Sequence, residues 1–232
     1  MKTACWIGND IVDLAEAGVA GKERDRRFLE RVFTAAERAQ ILDAMAPTLA
    51  LWKTWAAKEA AYKVACKIRE KVIFAHHAFE VVMERHEGLV RFEDLVVRVR
   101  WELQREYVHC VGQLVPDHAD ASRPRGLPPE NGSRHHFLSA VAHALQPLDG
   151  SLTTAERASV HSLASERARL LARKITEQWG LGSAEIIRRW RTWGWSAPVL
   201  AREGRRVEGF DVSLSHDGRY VAAAVAGPRW PV

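Results

Sequence analysis

The chain has 232 residues, of which 47% are hydrophobic and 27% charged, a composition that excludes a disordered tail or a repeat fibre. No stretch approaches the ~20 uncharged apolar residues of a membrane-spanning helix, so we expect a soluble globular protein of one large or two small domains. The N-terminal stretch lacks a long apolar core and the three cysteines form no CxxC pair, which predicts a reducing, cytoplasmic location. The net charge of +5 favours an anionic partner.

The predicted elements of residues 1–115, the first half, mix strands with helices. Thr34 and Glu37 have the spacing of a capping box, which predicts a helix that Pro47 ends. The other expected elements are a strand over 3–14, a basic segment over 22–31, a long helix over 49–68, and strands over 79–83, 96–103 and 107–115.

Residues 116–134 hold four prolines and two glycines with almost nothing apolar, which predicts an exposed linker. The second half, residues 135–232, repeats the order of the first, because Thr153 and Glu156 form another capping-box spacing at the head of a helical run that ends near Gly180. The remaining expected elements are a strand over 137–145, a short helix over 183–193, a strand over 198–201 and a hairpin over 210–226. FTAAERA in the first half and LTTAERA in the second indicate a diverged internal duplication.

Two acidic residues in the first half are candidates for binding a metal ion. Asp10 interrupts an apolar strand, where an unpaired carboxylate is costly, so it either caps the strand end or binds a cation. Glu59 lies four residues before Lys63 on the long predicted helix, a spacing that stabilises a helix by ~0.2–0.5 kcal/mol. The pair shares a helical face with Trp52 rather than with other charges, however, and a carboxylate and an ammonium there suit a metal ion and a phosphate.

A serine and histidine segment precedes the C-terminal hairpin. His216 ends a predicted strand just before a tight turn, and Ser213 and Ser215 share one face of that strand. Taken alone, such a segment is typical of an ordinary turn.

The three segments IGNDIVD, WAAKEAAYK and SLSHDGRYVAAAV together resemble the 4'-phosphopantetheinyl transferase superfamily. Its members move phosphopantetheine from coenzyme A to a serine of an acyl or peptidyl carrier protein. The resemblance implies an α+β fold built as a pseudodimer, in which each half is an antiparallel sheet packed with helices. The small holo-acyl-carrier-protein synthases correspond to one half, whereas the surfactin-synthetase-activating type fuses two, here in the opposite order. We therefore expect a monomer with one working site.

The resemblance also implies roles for individual residues. Asp10 and Glu59 would bind Mg²⁺, and Ser215 and His216 would hold phosphates of coenzyme A. Lys63 would neutralise charge that develops toward the 3',5'-ADP leaving group, and Glu59 or a water held by the ion would take the serine proton.

Three further features of the motifs follow from the resemblance. Lys58 points about 100° away from Glu59 on the helix, so it would contribute to substrate binding at most. Asn9 stands where the family usually has an apolar residue, and the sequence offers no reason for it. The carrier partner is usually acidic, and the basic segment resembles the carrier-binding helix of the small synthases, with arginines at Arg24, Arg26, Arg27 and Arg31.

Two other hypotheses come from different functional classes. A catalytically inactive scaffold of the same fold is disfavoured, because Asp10, Glu59, Lys63 and His216 are all present. A basic nucleic-acid-binding protein is motivated by the pI near 9.3 and nine tryptophans, but the glycine-rich pattern of an RNA-recognition motif is missing. We therefore expect no nucleic-acid or membrane partner. The sequence leaves open whether the carrier serves fatty acid, polyketide or nonribosomal peptide synthesis.

Overall fold

The computed structural model describes residues 6–115 except Arg85, and residues 136–228 except Trp193. The predicted linker over 116–134 lies outside the described residues. Helices and antiparallel strands occur together in both halves, which confirms the predicted α+β class. In the two ranges that are described, no helix combines the length and the apolar composition needed to cross a membrane.

The first half folds as a five-stranded antiparallel sheet with a long helix across it. Its helices are α1 (Arg26–Val32), α2 (Ala35–Asp43) and α3 (Pro47–Ile68), and its strands are β1 (Ile7–Asp13), β2 (Glu80–Met83), β3 (Glu87–Phe92), β4 (Leu95–Leu103) and β5 (Tyr107–Leu114). The sheet order is β1-β5-β4-β3-β2. Helix α3 lies against β1 at a close approach, since a Cβ at Gly8 would come within 2.0 Å of the Ala60 carbonyl oxygen.

The second half has a smaller sheet on which one amphipathic helix packs. Its helices are α4 (Thr154–Arg157) and α5 (Leu163–Gln178), and its strands are β6 (His136–His143), β7 (Glu185–Ile187), β8 (Trp190–Arg191), β9 (Gly194–Trp195), β10 (Val199–Arg202), β11 (Arg205–Arg206), β12 (Asp211–Asp217) and β13 (Tyr220–Gly227). One sheet has the order β12-β13-β6 and another β11-β10-β7, while β8 and β9 form a hairpin.

Three sequence predictions are corrected by the structure. Pro47 does not end α2, which stops at Asp43; it begins α3, where its missing N–H would be unpaired in any case. The helical run after Thr153 is broken into α4 and α5. The short helix expected over 183–193 is wrong, because the buried Ile186 and its neighbours pair with β10 as strand β7.

The two halves follow the same plan. The order β1-β5-β4 in the first sheet corresponds to β6-β13-β12 in the second, and both predicted capping boxes form. The glutamate of each box is buried, and its carboxylate also accepts a hydrogen bond from the backbone N–H of a strand that follows the long helix. These pairs are Glu37 with Val81 at 2.8 Å and Glu156 with Ile186 at 2.9 Å.

The two halves meet along β1 and β12. Strand β12 runs beside the outer edge of β1 at a constant separation of 204 residues, and its side-chain oxygens accept hydrogen bonds from backbone N–H groups of β1. The three pairs are Ile7 with Asp211 at 2.8 Å, Asn9 with Ser213 at 2.9 Å, and Asp13 with Asp217 at 2.8 Å. The outer edge of β1 is therefore satisfied by side chains of the other half.

Charged groups and small side chains complete the contact between the halves. Lys67 on α3 donates to Asp211 at 2.8 Å, and Arg219 donates through two guanidinium nitrogens to both carboxylate oxygens of Asp13. Between these ends, Ala224 of β13 packs against Ile7 and a neighbour on β5. The small alanine side chain allows the two sheets to approach closely.

Candidate active site

Asp10 on β1 and Lys63 on α3 form the centre of the site. The Lys63 Nζ donates to Asp10 Oδ1 at 2.8 Å and to the backbone carbonyl of Asn9 at 2.8 Å. Asp10 is 9% exposed, and this burial raises the pKa of its carboxyl group, although the Lys63 ammonium opposes the rise. The ion pair therefore holds a carboxylate that has little access to solvent.

Glu59 lies one helical turn before Lys63 and adds a second carboxylate. Burial, and then the nearby charge of Asp10, raise the pKa of Glu59 to about 7, while Lys63 lowers it. The charge of Asp10 thus disfavours ionisation of Glu59, while the Lys63 ammonium favours the ionised form of both carboxyl groups.

This pair of carboxylates fits a divalent cation. Mg²⁺ is usually held by one or two protein carboxylates, with phosphate oxygens and water completing its coordination. No group of three or more His, Cys, Asp and Glu side chains is gathered to hold a metal anywhere in the described part of the chain. Asp10 and Glu59 therefore suit an ion that a phosphate-bearing substrate helps to bind, rather than a closed site made by protein alone.

His216 comes to the same place from the other half. It is exposed near the end of β12, and partial desolvation followed by the positive charge of Lys63 lowers the pKa of its imidazole. Asp217 and Asp10 act in the opposite direction. The structure thus brings His216 of the second half near Asp10 and Lys63 of the first, because their neighbours Ser215 and Asn9 are hydrogen-bonded to each other.

Ser215 was predicted to bind a phosphate of coenzyme A, but its side chain is buried. It is 5% exposed, and its Oγ accepts a hydrogen bond from the Asn9 side-chain Nδ2 at 2.8 Å. Ser213, on the same face of β12, accepts the Asn9 backbone N–H. Both hydroxyls are used where the halves meet, so we assign Ser215 to that contact instead of to coenzyme A.

Lys58 is likewise part of the fold. Its side chain is fully buried, and its Nζ donates to Glu37 Oε1 at 2.8 Å, to the carbonyl of His76 at 3.0 Å and to that of Phe79 at 2.5 Å. These bonds use all three ammonium protons, which leaves none for a substrate. The substrate-binding role predicted for Lys58 is therefore dropped.

The second half has a buried cation at the matching helix position. When AKEAAYK of α3 is aligned with ARLLARK of α5, Arg169 falls opposite Lys58. Arg169 is 2% exposed and donates to the carbonyl and hydroxyl oxygens of both Ser159 and Ser165. A buried cation at this position is therefore a feature of both halves.

The arginines of the predicted carrier-binding segment lie on the surface. All four are exposed, and they belong to a short 3₁₀ turn and to helix α1: Arg24, Arg26, Arg27 and Arg31. The Phe28 ring between them stacks on Trp55 of α3, with centroids 5.8 Å apart. Trp55 lies one helical turn before Glu59, so the basic surface adjoins the part of α3 that leads into the site.

Two residues that the sequence predictions left without a role belong to the surroundings of the site. Asn9 is fully buried and links β1 to β12. His109 on β5 lies 3.3 Å from the Asn9 Nδ2 and contributes to the electrostatic environment of Asp10. The only sequence signal for Asn9 was its polarity inside an apolar strand.

Comparison with known proteins gives the following matches. The family model of the 4'-phosphopantetheinyl transferase superfamily matches residues 7–114. No curated protein matches the chain.

Solved structures of three bacterial proteins are similar to part of the chain. Holo-[acyl-carrier-protein] synthase of Thermotoga maritima is 14% identical with a TM-score of 0.37, covering 47% of this chain and 62% of that one. The holo-[acyl-carrier-protein] synthase of Neisseria meningitidis is 18% identical with a TM-score of 0.39, covering 47% and 97%. The acyl carrier protein synthase of Mycobacterium tuberculosis is 24% identical with a TM-score of 0.33, covering 47% and 96%.

Proposed function

Because residues 7–114 match the family model of the 4'-phosphopantetheinyl transferase superfamily, we propose that this chain transfers 4'-phosphopantetheine from coenzyme A to a serine of an apo carrier protein. The observation that carries this proposal is the meeting of Asp10 and Lys63 with His216 across the contact between the halves. Separate halves would each have only part of this set. A pseudodimer with one working site is therefore our proposed assembly, supported by the matching strand orders of the two sheets.

The proposed reaction is a phosphoryl transfer. The carrier serine Oγ forms a bond to the β-phosphorus of coenzyme A, and the bond from that phosphorus to the oxygen of the leaving 3',5'-ADP breaks. Glu59 takes the serine proton, and the Lys63 ammonium neutralises charge on the departing phosphate. His216 donates a hydrogen bond to a phosphate oxygen from the opposite side.

Asp10 and Glu59 are the residues that would hold Mg²⁺. The bound ion would neutralise the pyrophosphate and favour the ionised form of both carboxylates. The burial of both carboxyl groups, and the effect of the Asp10 charge on Glu59, support this assignment.

The carrier would dock on the basic surface of α1. Arg24, Arg27 and Arg31 are exposed there, and an acidic partner would be attracted to them over several ångströms in solution. Because Phe28 contacts Trp55 just before Glu59 on α3, a carrier bound at α1 could bring its serine toward the site. Exposed Leu42 on α2 lines the same surface depression as Arg24 and offers an apolar contact there.

The proposal is tested by intact-mass analysis of an apo acyl carrier protein and an apo peptidyl carrier protein. Each is incubated with the protein, coenzyme A and Mg²⁺, with or without a chelator. We expect one carrier serine to gain a single phosphopantetheine, and we expect the gain to disappear with chelator and in the Glu59→Gln and His216→Ala variants. Glu177→Gln, an exposed glutamate on α5, is the matched control and should retain transfer.

The result also separates the proposed enzyme from an inactive scaffold. If both carriers keep their mass but bind the wild-type protein, the transferase proposal is contradicted and a carrier-binding role takes its place. The carrier that gains mass identifies the accepted class, acyl or peptidyl.

A further inference from the structure

Asn9 lies between the two parts of the candidate site. It directly precedes Asp10 on β1, and its side-chain Nδ2 donates to the Oγ of Ser215, which directly precedes His216 on β12, at 2.8 Å. Its backbone carbonyl accepts a hydrogen bond from the Lys63 Nζ at 2.8 Å. This one residue therefore contacts Lys63 directly, is joined to Asp10 by a peptide bond, and is hydrogen-bonded to the residue that precedes His216.

The amide of Asn9 is not explained by stability. The side chain is fully buried, and its Oδ1 has no hydrogen-bond partner among the described residues. A buried acceptor without a partner costs stability, whereas an apolar side chain such as those of Ile7 and Ile11 on the same strand would fill the space without that cost. What the amide adds is directional bonding through its Nδ2, to Ser215 on β12 at 2.8 Å and to the His109 ring Nε2 on β5 at 3.3 Å.

We propose that Asn9 is a positioning residue, which sets the place of Asp10 relative to His216 through its hydrogen bond with Ser215. The inference rests on the proposed transferase function, since it concerns the alignment of two groups on the same substrate. A rigid link at this point is needed because the two groups lie on different sheets that are joined by side-chain contacts. The Asn9–Ser215 bond joins two side chains, whereas the three other bonds between β1 and β12 described above use backbone N–H groups of β1.

Loss of the link should affect transfer more than substrate binding. Each half would still hold its own part of coenzyme A, so ground-state binding would change little. Transfer depends on the joint geometry, and a misplacement of about 1 Å can lower a rate by about 10²-fold. We therefore expect a fall in kcat without a matching rise in KM for coenzyme A.

The test compares Asn9→Leu, Ser215→Ala, the double variant and a matched control, Ser213→Ala. Leucine has the same number of side-chain heavy atoms as asparagine, branched at the same Cγ, but lacks the amide, and Ser215→Ala removes one oxygen. Ser213 is as deeply buried as Ser215 and also accepts a hydrogen bond from Asn9, but from its backbone N–H. For each variant, kcat and KM for coenzyme A are measured with the accepted carrier, together with the urea midpoint of unfolding.

We expect kcat to fall by roughly tenfold or more in Asn9→Leu and Ser215→Ala, with KM changed less than about threefold. The double variant should be no slower than the slower single variant, because both remove the same hydrogen bond. Ser213→Ala should lower the urea midpoint by a similar amount while keeping kcat within about threefold of the wild type.

Several outcomes would overturn the inference. It fails if Asn9→Leu and Ser215→Ala lose no more kcat than Ser213→Ala, or if their effects multiply in the double variant. If Asn9→Leu does not fold, the kcat values of Ser215→Ala and Ser213→Ala are compared with each other, and the inference stands only if Ser215→Ala loses more. If the wild-type protein modifies neither carrier, the proposed function fails and this inference fails with it. If the wild-type protein is active but the variants show one of the patterns above, only the inference fails.

Discussion

Replacing Lys58 with methionine tests whether this lysine belongs to the fold or to the substrate. Methionine keeps the length and apolar part of the side chain, so the change removes the ammonium group and little else. In the structure that ammonium is fully enclosed and donates to the Glu37 carboxylate and to the carbonyls of His76 and Phe79. The variant would leave a buried carboxylate without its counter-charge and two carbonyls without a donor.

The expected loss follows from these contacts. Removing one partner of a buried ion pair costs about 3–5 kcal/mol, because the other charge stays buried and uncompensated. Glu37 would keep two hydrogen bonds from backbone N–H groups, those of Thr34 and Val81, each 2.8 Å long. We therefore expect the free energy of unfolding to fall by the low end of this range, about 3 kcal/mol. For a chain of this size that loss corresponds to a fall in Tm of roughly 6–12 °C.

The assay is urea unfolding followed by circular dichroism, with transfer kinetics on the folded protein. Lys174→Met is the matched control: this lysine is also on a long helix, but it is 44% exposed and 3.9 Å from its carboxylate partner Asp149. Such a surface pair contributes about 0–1 kcal/mol. KM for coenzyme A should be unchanged in both variants.

A different pattern would refute the assignment of Lys58. If Lys58→Met unfolds like the Lys174→Met control, within about 1 kcal/mol of the wild type, the buried pair is not stabilising the fold. If KM for coenzyme A also rises by about tenfold, which corresponds to ~1.4 kcal/mol of lost binding, Lys58 is a substrate-binding residue after all.

Three further predictions concern the contact between the halves and the packing of β1 against α3. The hydrogen-bonded Arg219 holds the pKa of Asp13 well below its usual range, so the stability from this pair is present above about pH 4 and is lost as the pH falls. The difference in urea midpoint between wild type and Asp13→Asn should therefore shrink on acidification, and a constant difference would contradict it. Ala224→Leu should overpack the contact and cost about 1–3 kcal/mol in urea unfolding. Gly8→Ala should lower Tm by displacing β1 from the Ala60 carbonyl, and an unchanged Tm would argue against that close approach.

The parts of the fold that could be predicted from the sequence depend on local signals. Both capping boxes form, because Thr34 and Glu37, like Thr153 and Glu156, satisfy each other's backbone N–H groups within a few residues. The C-terminal hairpin forms about its predicted turn, where Gly218 takes a positive φ of 47°. Such signals need no knowledge of the rest of the chain.

The residues that were misjudged depend on partners far along the chain. Lys58 was expected to bind substrate at most, because it points away from Glu59 on α3. Lys58 meets Glu37 and the segment after the helix, a contact that a single sequence does not indicate. The hydroxyl of Ser215 is likewise taken by Asn9, 206 residues away.

The prediction of a short helix over 183–193 was wrong for a related reason. Ser183 and the following charged residues are compatible with a short helix when considered alone. In the structure Ile186 and Ile187 are both buried, and they pair with β10 in a sheet. Tertiary pairing overrides local preference in such short segments.

The separation of 206 residues between Asn9 and Ser215 also bears on how the protein is made. During synthesis β1 is translated 204 residues before β12, the strand that covers its outer edge. Until then, the amide groups of that edge have no partner from β12, and Asp10 lacks His216. Contacts this distant in sequence also form slowly. The site therefore cannot be complete until β12 has emerged from the ribosome and packed against β1.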